Sequence, residues 1–320
     1  MLGAMFANII ASLIRLPVAG PNRLRPLVAI VIGVMLGSSF TPALFDRITH
    51  WAPSLIFMVG YLIVAALVVV PFYRKIAGFD LSTAYFAGMP GGLMEMMIIG
   101  KDAGADERSI ILAHTSRIVL VVTLVAIWFR VVQGIDLSDR SQFGIPFSEI
   151  PENELIILAI VGAFGYFLGR FLHLPAPMLL GPIIVSAAVY SLGIIHNPPP
   201  RELVIIAQIF LGTIVGCRFI GAEPRAILRA IGLGLGATTL MLILTFSFAF
   251  AFYQMFGQTL EQLVLAYSPG GLAEMSLVAL AMNADIAYVA SHHLVRISFV
   301  MMMAPILFKF FSRADNDLKK

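Results

Sequence analysis

Apolar runs of about 18–25 residues recur along most of the chain, each long enough to cross a bilayer core of about 30 Å. Candidate spans cover residues 2–15, 26–45, 54–73, 107–130, 154–172, 177–195, 203–220, 227–254 and 286–310. A water-soluble domain has no core large enough for so many uninterrupted runs. The composition agrees. Hydrophobic residues make up 59% of the chain and charged residues only 12%, about half the charged share of an average soluble domain. The pattern predicts an all-α polytopic integral membrane protein.

Two further apolar segments, 81–100 and 260–282, are interrupted in the same way. The first carries PGGLMEM at 90–96 and the second PGGLAEM at 269–275. When 87–121 is laid on 266–300 without gaps, 13 of 35 positions are identical. Chance gives about two or three at ordinary residue frequencies. The matched pairs include Pro90/Pro269, Gly91/Gly270, Gly92/Gly271, Glu95/Glu274, Asp106/Asp285, His114/His293 and Arg117/Arg296. The same register also pairs Gly33/Gly212, Gly37/Gly216 and Phe40/Phe219. Such similarity at a fixed spacing is the mark of an internal duplication. It predicts a first membrane repeat at 1–132, an acidic linker at 133–153 and a second membrane repeat at 154–320. Segment 154–172 precedes LLGPII (179–184), whereas nothing precedes the matching MLGAMF (1–6). The first repeat is therefore expected to lack an N-terminal helix here, either lost in the protein or left out by a start placed too late.

Loop charge gives the relative orientation of the repeats, because Lys and Arg concentrate on the cytoplasmic side. The loop at 73–80 holds Arg74 and Lys75, and its counterpart at 253–261 holds no basic residue. The loop at 46–53 holds Arg47 alone, and its counterpart at 217–230 holds Arg218, Arg225 and Arg229. The bias reverses, which requires an odd number of crossings per repeat. A full repeat has six apolar segments, so one does not cross. The segment broken by Pro-Gly-Gly is the natural one, since each arm is about ten residues and too short to span. Inverted repeats with a re-entrant segment in each are expected, with the C-terminus in the cytoplasm. The competing expectation is a continuous, kinked helix and parallel repeats.

Asp106, His114 and Arg117 share one helical face, the latter two lying about 80° and 20° from the first at 100° per residue. Arg117 is about 16 Å along the axis from Asp106, near mid-bilayer. Asp285, His293 and Arg296 repeat the spacing. A charge at that depth is costly and faces a cavity or a partner. Each arginine is expected either to hold an anionic group or to bind carbonyls freed by the broken helix. The histidines are candidates for proton relay or for hydrogen-bonded struts. Broken segments at matching positions of two repeats point to a transporter's site. Pro90, Gly91 and Gly92, with Pro269, Gly270 and Gly271, therefore join the candidate set. Glu95 and Glu274 are candidates to carry a proton or sodium ion, or to cap a kink.

Other classes are poorly served. Cys217 is the single cysteine, and the chain has no Ser-His-Asp set, HExxH or P-loop. An enzyme is not expected, nor a cofactor or metal. The net charge of +3 leaves no nucleic-acid footprint. Gly33-x3-Gly37, Gly165-x3-Gly169 and Gly212-x3-Gly216 let helices approach closely, and a homodimer interface is their other use.

Two copies of PGGLxEM, each followed by Asp and then His-x-x-Arg, together with VMLGSSFTP at 34–42, resemble the duplicated AbrB-type membrane protein family of bacteria. The likeness spans nearly the whole chain and implies a multi-pass protein of the cytoplasmic (inner) membrane. The family has been labelled both an ammonia monooxygenase and a transcriptional regulator. The first needs a redox metal, yet His50, His114, His173, His196, His292 and His293 form no cluster beyond one adjacent pair. The second needs a nucleic-acid surface. The expected function is secondary transport of a small anionic or zwitterionic solute, coupled to protons or sodium. The alternative is a membrane regulator that affects gene expression indirectly.

Overall fold

A computed structural model describes residues 1–21, 23–40, 42–134, 143–174 and 176–318. The expected linker 133–153 lies in part, at 135–142, outside the described residues. Among the described residues the chain is all-helical, with thirteen α-helices. Six stretches are long and apolar enough to cross a membrane: His50–Lys75, Glu107–Val131, Glu152–Phe171, Arg201–Phe219, Pro224–Phe252 and Ile286–Ser312. This is the architecture expected of an α-helical membrane protein.

Two boundaries differ from the sequence expectation. The run 26–45 is helical only to Gly37, as α2 (Arg25–Gly37). The next helix, α3 (Pro42–Lys75), begins at a proline and takes in the stretch expected as a loop at 46–53. Proline suits a first helical turn because its missing N–H has no partner there anyway.

The helices gather into two compact units, each drawing on both halves of the sequence. Unit 1 comprises residues 1–52, 125–220 and 273–290. In it α1 (Leu2–Leu13) packs on α9 (Arg201–Gly216), and α2 packs on α8 (Pro177–Ser191). Helix α7 (Glu152–Phe171) also lies on α8. The glycine motifs make these approaches. A Cβ at Gly33 or Gly37 would strike the α8 backbone near Leu179 and Ile183, and one at Gly212 or Gly216 the α1 backbone at Met1 and Met5. Gly33 and Gly212 stand at matching positions of the two halves, as do Gly37 and Gly216, so corresponding glycines do corresponding work. Gly165 and Gly169 of α7 face Gly181, Pro182 and Pro177 of α8 in the same fashion.

Unit 2 comprises residues 53–124, 221–272 and 291–320. It holds most of α3, α4 (Leu81–Gly88), α5 (Leu93–Asp102), most of α6 (Glu107–Val131), α10 (Pro224–Phe252), α11 (Leu260–Tyr267) and most of α13 (Ile286–Leu318). Helix α12 (Leu272–Ala281) begins at its edge and continues in unit 1. Gly234 lets α10 lie against Ser116 of α6.

A Cβ added at Gly181 would overlap the Gly165 carbonyl, whereas one at Gly60 meets nothing within 4 Å. Gly181→Ala is expected to cost about 1–3 kcal/mol through overpacking. Gly60→Ala should be neutral, or stabilising by about 0.5–1 kcal/mol. Thermal unfolding of the two variants in detergent checks the contrast.

Candidate functional site

The chain stops being helical where the proline stands. Helix α4 ends at Gly88, Met89 is extended (φ −62°, ψ 130°), and α5 starts after Gly92. A helix end leaves its last four carbonyls without intrahelical donors. Here each one is met. The Tyr85 carbonyl accepts from the Met89 N–H at 3.0 Å. The Phe86 carbonyl would have bonded the N–H of residue 90, which proline lacks. His114 Nε2 bonds it instead, at 2.8 Å. Arg117 Nη1 reaches the carbonyls of Ala87, Gly88 and Met89 at 3.5, 3.4 and 3.2 Å.

The second break repeats the arrangement in unit 2. The Ser268 N–H bonds the Val264 carbonyl at 2.9 Å. Pro269 would have served the Leu265 carbonyl, and His293 Nε2 takes its place at 3.0 Å. Arg296 bonds the carbonyls of Ser268 (2.5 Å, Nη1) and Gly270 (2.6 Å, Nη2). The second clamp is the tighter of the two. In each, the arginine Nη2 also lies 3.0 Å from Nδ1 of its histidine. A guanidinium has no acceptor. Each Nδ1 therefore accepts, and each Nε2 carries the hydrogen that it gives to the backbone. His-x-x-Arg has the right spacing because residues three apart on a helix are neighbours.

These groups are sealed. His114, Arg117, His293 and Arg296 are 1%, 3%, 0% and 2% exposed. Both arginines lie in unit 2 within electrostatic reach of each other and of Tyr61. The Nε of each has no hydrogen-bond partner. Among the described residues no carboxylate pairs with either guanidinium. Beside the second clamp, Tyr61 and Thr245 hydroxyls bond at 2.8 Å, and His292 Nε2 bonds Ser54 Oγ at 2.6 Å. The adjacent histidines 292 and 293 thus have separate partners.

The remaining candidates fall elsewhere. Asp106 is exposed at the start of α6, where it accepts from the N–H groups of Arg108 and Ser109, both at 3.2 Å. Asp285 accepts from the Tyr288 N–H at 3.0 Å at the start of α13. Both act as helix N-caps, and Asp106 does not join His114 and Arg117. Asp106 does line a cavity of about 290 Å³ in unit 2, with Tyr73, Ser109, Glu223 and Arg229. Glu95 is half-buried in the first turn of α5, its carboxylate folded against Gly92. An acid there suits the positive end of the helix dipole. Glu274 occupies the same place in α12 but is buried, and lies in unit 1. Tyr61, Thr245 and Ser54 were not among the sequence candidates, since the matching positions in the other half hold Leu240, Ala66 and Leu233.

Among the described residues, an all-helical arrangement with six potential spans and two mended helix breaks defines a class of polytopic membrane proteins built around interrupted helices. A family model described as "Transition state regulatory protein AbrB" matches residues 1–312, and the chain belongs to this AbrB family. Its relatives include "Putative regulator AbrB" of Escherichia coli (strain K12), 24% identical over 321 residues, covering 98% of this chain and 89% of that one. "Uncharacterized protein YhjN" of Bacillus subtilis (strain 168) is 24% identical over 313 residues, covering 90% and 79%.

If the histidine stands in for the proline's missing donor, the two positions are coupled. Pro269→Ala restores an N–H within reach of the Leu265 carbonyl, so His293→Ala should be milder in that background than in the wild type. A double-mutant cycle on thermal stability should give a coupling of about 0.5–3 kcal/mol. Arg296→Gln, which strands two carbonyls, should cost about 1–3 kcal/mol for each.

Proposed function

We propose that the protein is a secondary transporter of a small anionic or zwitterionic solute, driven by a proton or sodium gradient. The observation that carries this reading is the pair of buried guanidinium groups in unit 2, unmatched by any described carboxylate. A buried charge without a counter-charge costs several kcal/mol, and an anionic solute supplies one. The free Nε of each arginine leaves it a donor beyond those that hold the backbone. Interrupted helices at matching positions are where transporters bind their solutes and coupling ions. In this reading the halves of the chain are inverted repeats, and the segments around Pro90 and Pro269 are re-entrant. Glu95 and Glu274 are the carboxylates available to the coupling ion. The bacterial inner membrane is the setting, with the C-terminus in the cytoplasm.

Proteoliposomes carrying purified protein on a solid-supported membrane test this. Monocarboxylates, dicarboxylates and amino acids are applied under an inward proton or sodium gradient. At least one class should evoke a transient current that empty vesicles lack. Silence across the panel from folded protein overturns the transport reading. A ligand that binds without current favours the second reading, a membrane regulator, which is supported by the name of the Escherichia coli relative.

Topology is checked separately in a Cys217→Ala background. Inverted repeats place Ile76→Cys and Ala222→Cys on one side of the membrane and Gln133→Cys and Gln258→Cys on the other. Labelling with an impermeant thiol reagent from each side reads the result, and Ile76→Cys and Ala222→Cys on opposite sides would overturn inversion.

A further inference from the structure

Unit 2 contains a second cavity, of about 600 Å³, within the range of about 300–1,000 Å³ of small-molecule sites. Helix α3 lines it with two rows of residues spaced four apart, Ala66-Val70-Arg74 and Leu67-Pro71-Lys75. Residues at that spacing are neighbours on a helix surface. Each row starts apolar and ends in a cation. Leu81 and Tyr85 of α4 and Phe311 of α13 complete the lining. None of the described lining residues is acidic. The Tyr85 hydroxyl donates to the Ala304 carbonyl at 3.0 Å, so its polar atom is spent within the protein. Leu67 and Phe311 are exposed, so the cavity is open at its side.

An occupant that fits is apolar along most of its length and anionic at one end. Basic side chains suit the C-terminal end of any helix, but that alone calls for no groove behind them. The candidate span His50–Lys75 ends at this pair, so the cations stand at the membrane surface and the groove runs inward. Ala66 and Lys75 are about 14 Å apart along the axis at 1.5 Å per residue. That is close to half of a bilayer core of about 30 Å, the depth of one leaflet's acyl chains. A water-soluble anion leaves the apolar rows uncovered, and a neutral chain leaves the cations unmatched. A zwitterionic lipid brings an ammonium of its own towards them.

We propose that this cavity holds one anionic glycerophospholipid, with an acyl chain along the α3 rows and its phosphate on Arg74 and Lys75. Basic pockets between membrane helices bind such head groups. The bound chain also flanks α4, the short helix whose end His114 and Arg117 repair, and whose Gly88 packs on Val69 and Val70 of α3. The lipid site is separate from the solute's and does not depend on transport.

Native mass spectrometry of the delipidated full chain in detergent tests this. Phosphatidylglycerol and phosphatidylethanolamine with matched acyl chains are supplied in equal amounts. One phosphatidylglycerol should be retained in preference, by about 25-fold from two basic side chains at about 5-fold each. Lys75→Gln should lower that preference about 5-fold, and Arg74→Gln with Lys75→Gln should abolish it. Ala66→Phe fills the apolar end away from the cations and should weaken retention with both charges in place. Glycerol phosphate in excess should not displace the lipid. The proposal is overturned if the two lipids are retained alike, if the double variant keeps the preference, if Ala66→Phe changes nothing, or if glycerol phosphate displaces the lipid. Should the double variant not fold, Lys75→Gln, a change at an exposed side chain, decides alone.

Discussion

Everything in unit 2 turns on one shortage: a helix that stops inside an apolar protein leaves carbonyls with nothing to bond. Water is unavailable to repay them, and an unmet buried carbonyl is costly. The protein satisfies them with side chains borrowed from another helix. Histidine supplies the donor that proline removed, and arginine serves carbonyls beyond it, those of Ala87, Gly88 and Met89 in one break and of Ser268 and Gly270 in the other. The imidazole also accepts from the guanidinium, so the two side chains fix each other. In a low-dielectric surrounding such a linked set is worth more than its separate bonds.

The arrangement turns a breakable end into a defined one. Pro-Gly-Gly would otherwise give a loose joint, because glycine restricts the backbone little. With the C-terminal ends of α4 and α11 held by α6 and α13, the extended residues between the arms have fixed surroundings. Irregular backbone at membrane depth survives only where protein or a cavity surrounds it, and the near-complete burial of both clamps meets that condition.

Much of this was legible from the letters. Pro90 and Pro269 announce their breaks, and a charged residue in an apolar run, such as Arg117, announces a partner. The helical wheel placed His114 with Arg117 correctly. It placed Asp106 there too, and failed because Asp106 stands at the helix start, where its carboxylate accepts from the free N–H groups of Arg108 and Ser109 and from the Ser109 hydroxyl. Helix faces show which residues can meet but not which do. The swapped packing of α1 on α9 and α2 on α8 was hidden for the same reason. The glycines advertised close contact without naming the helix that would come close.

That swapped packing also bears on how the protein is made. Helices α1 and α2 leave the ribosome early, but the surfaces their glycines and backbones fit belong to α9 and α8. About 150–200 residues of synthesis separate the partners, some 8–40 s at bacterial rates of about 5–20 residues per second. Through that interval each of these two helices, too short to span by itself, lacks the surface its close contacts fit. The completion of unit 1 thus waits for the second half of the chain, and its biogenesis depends on whatever shelters short apolar helices in the membrane until then.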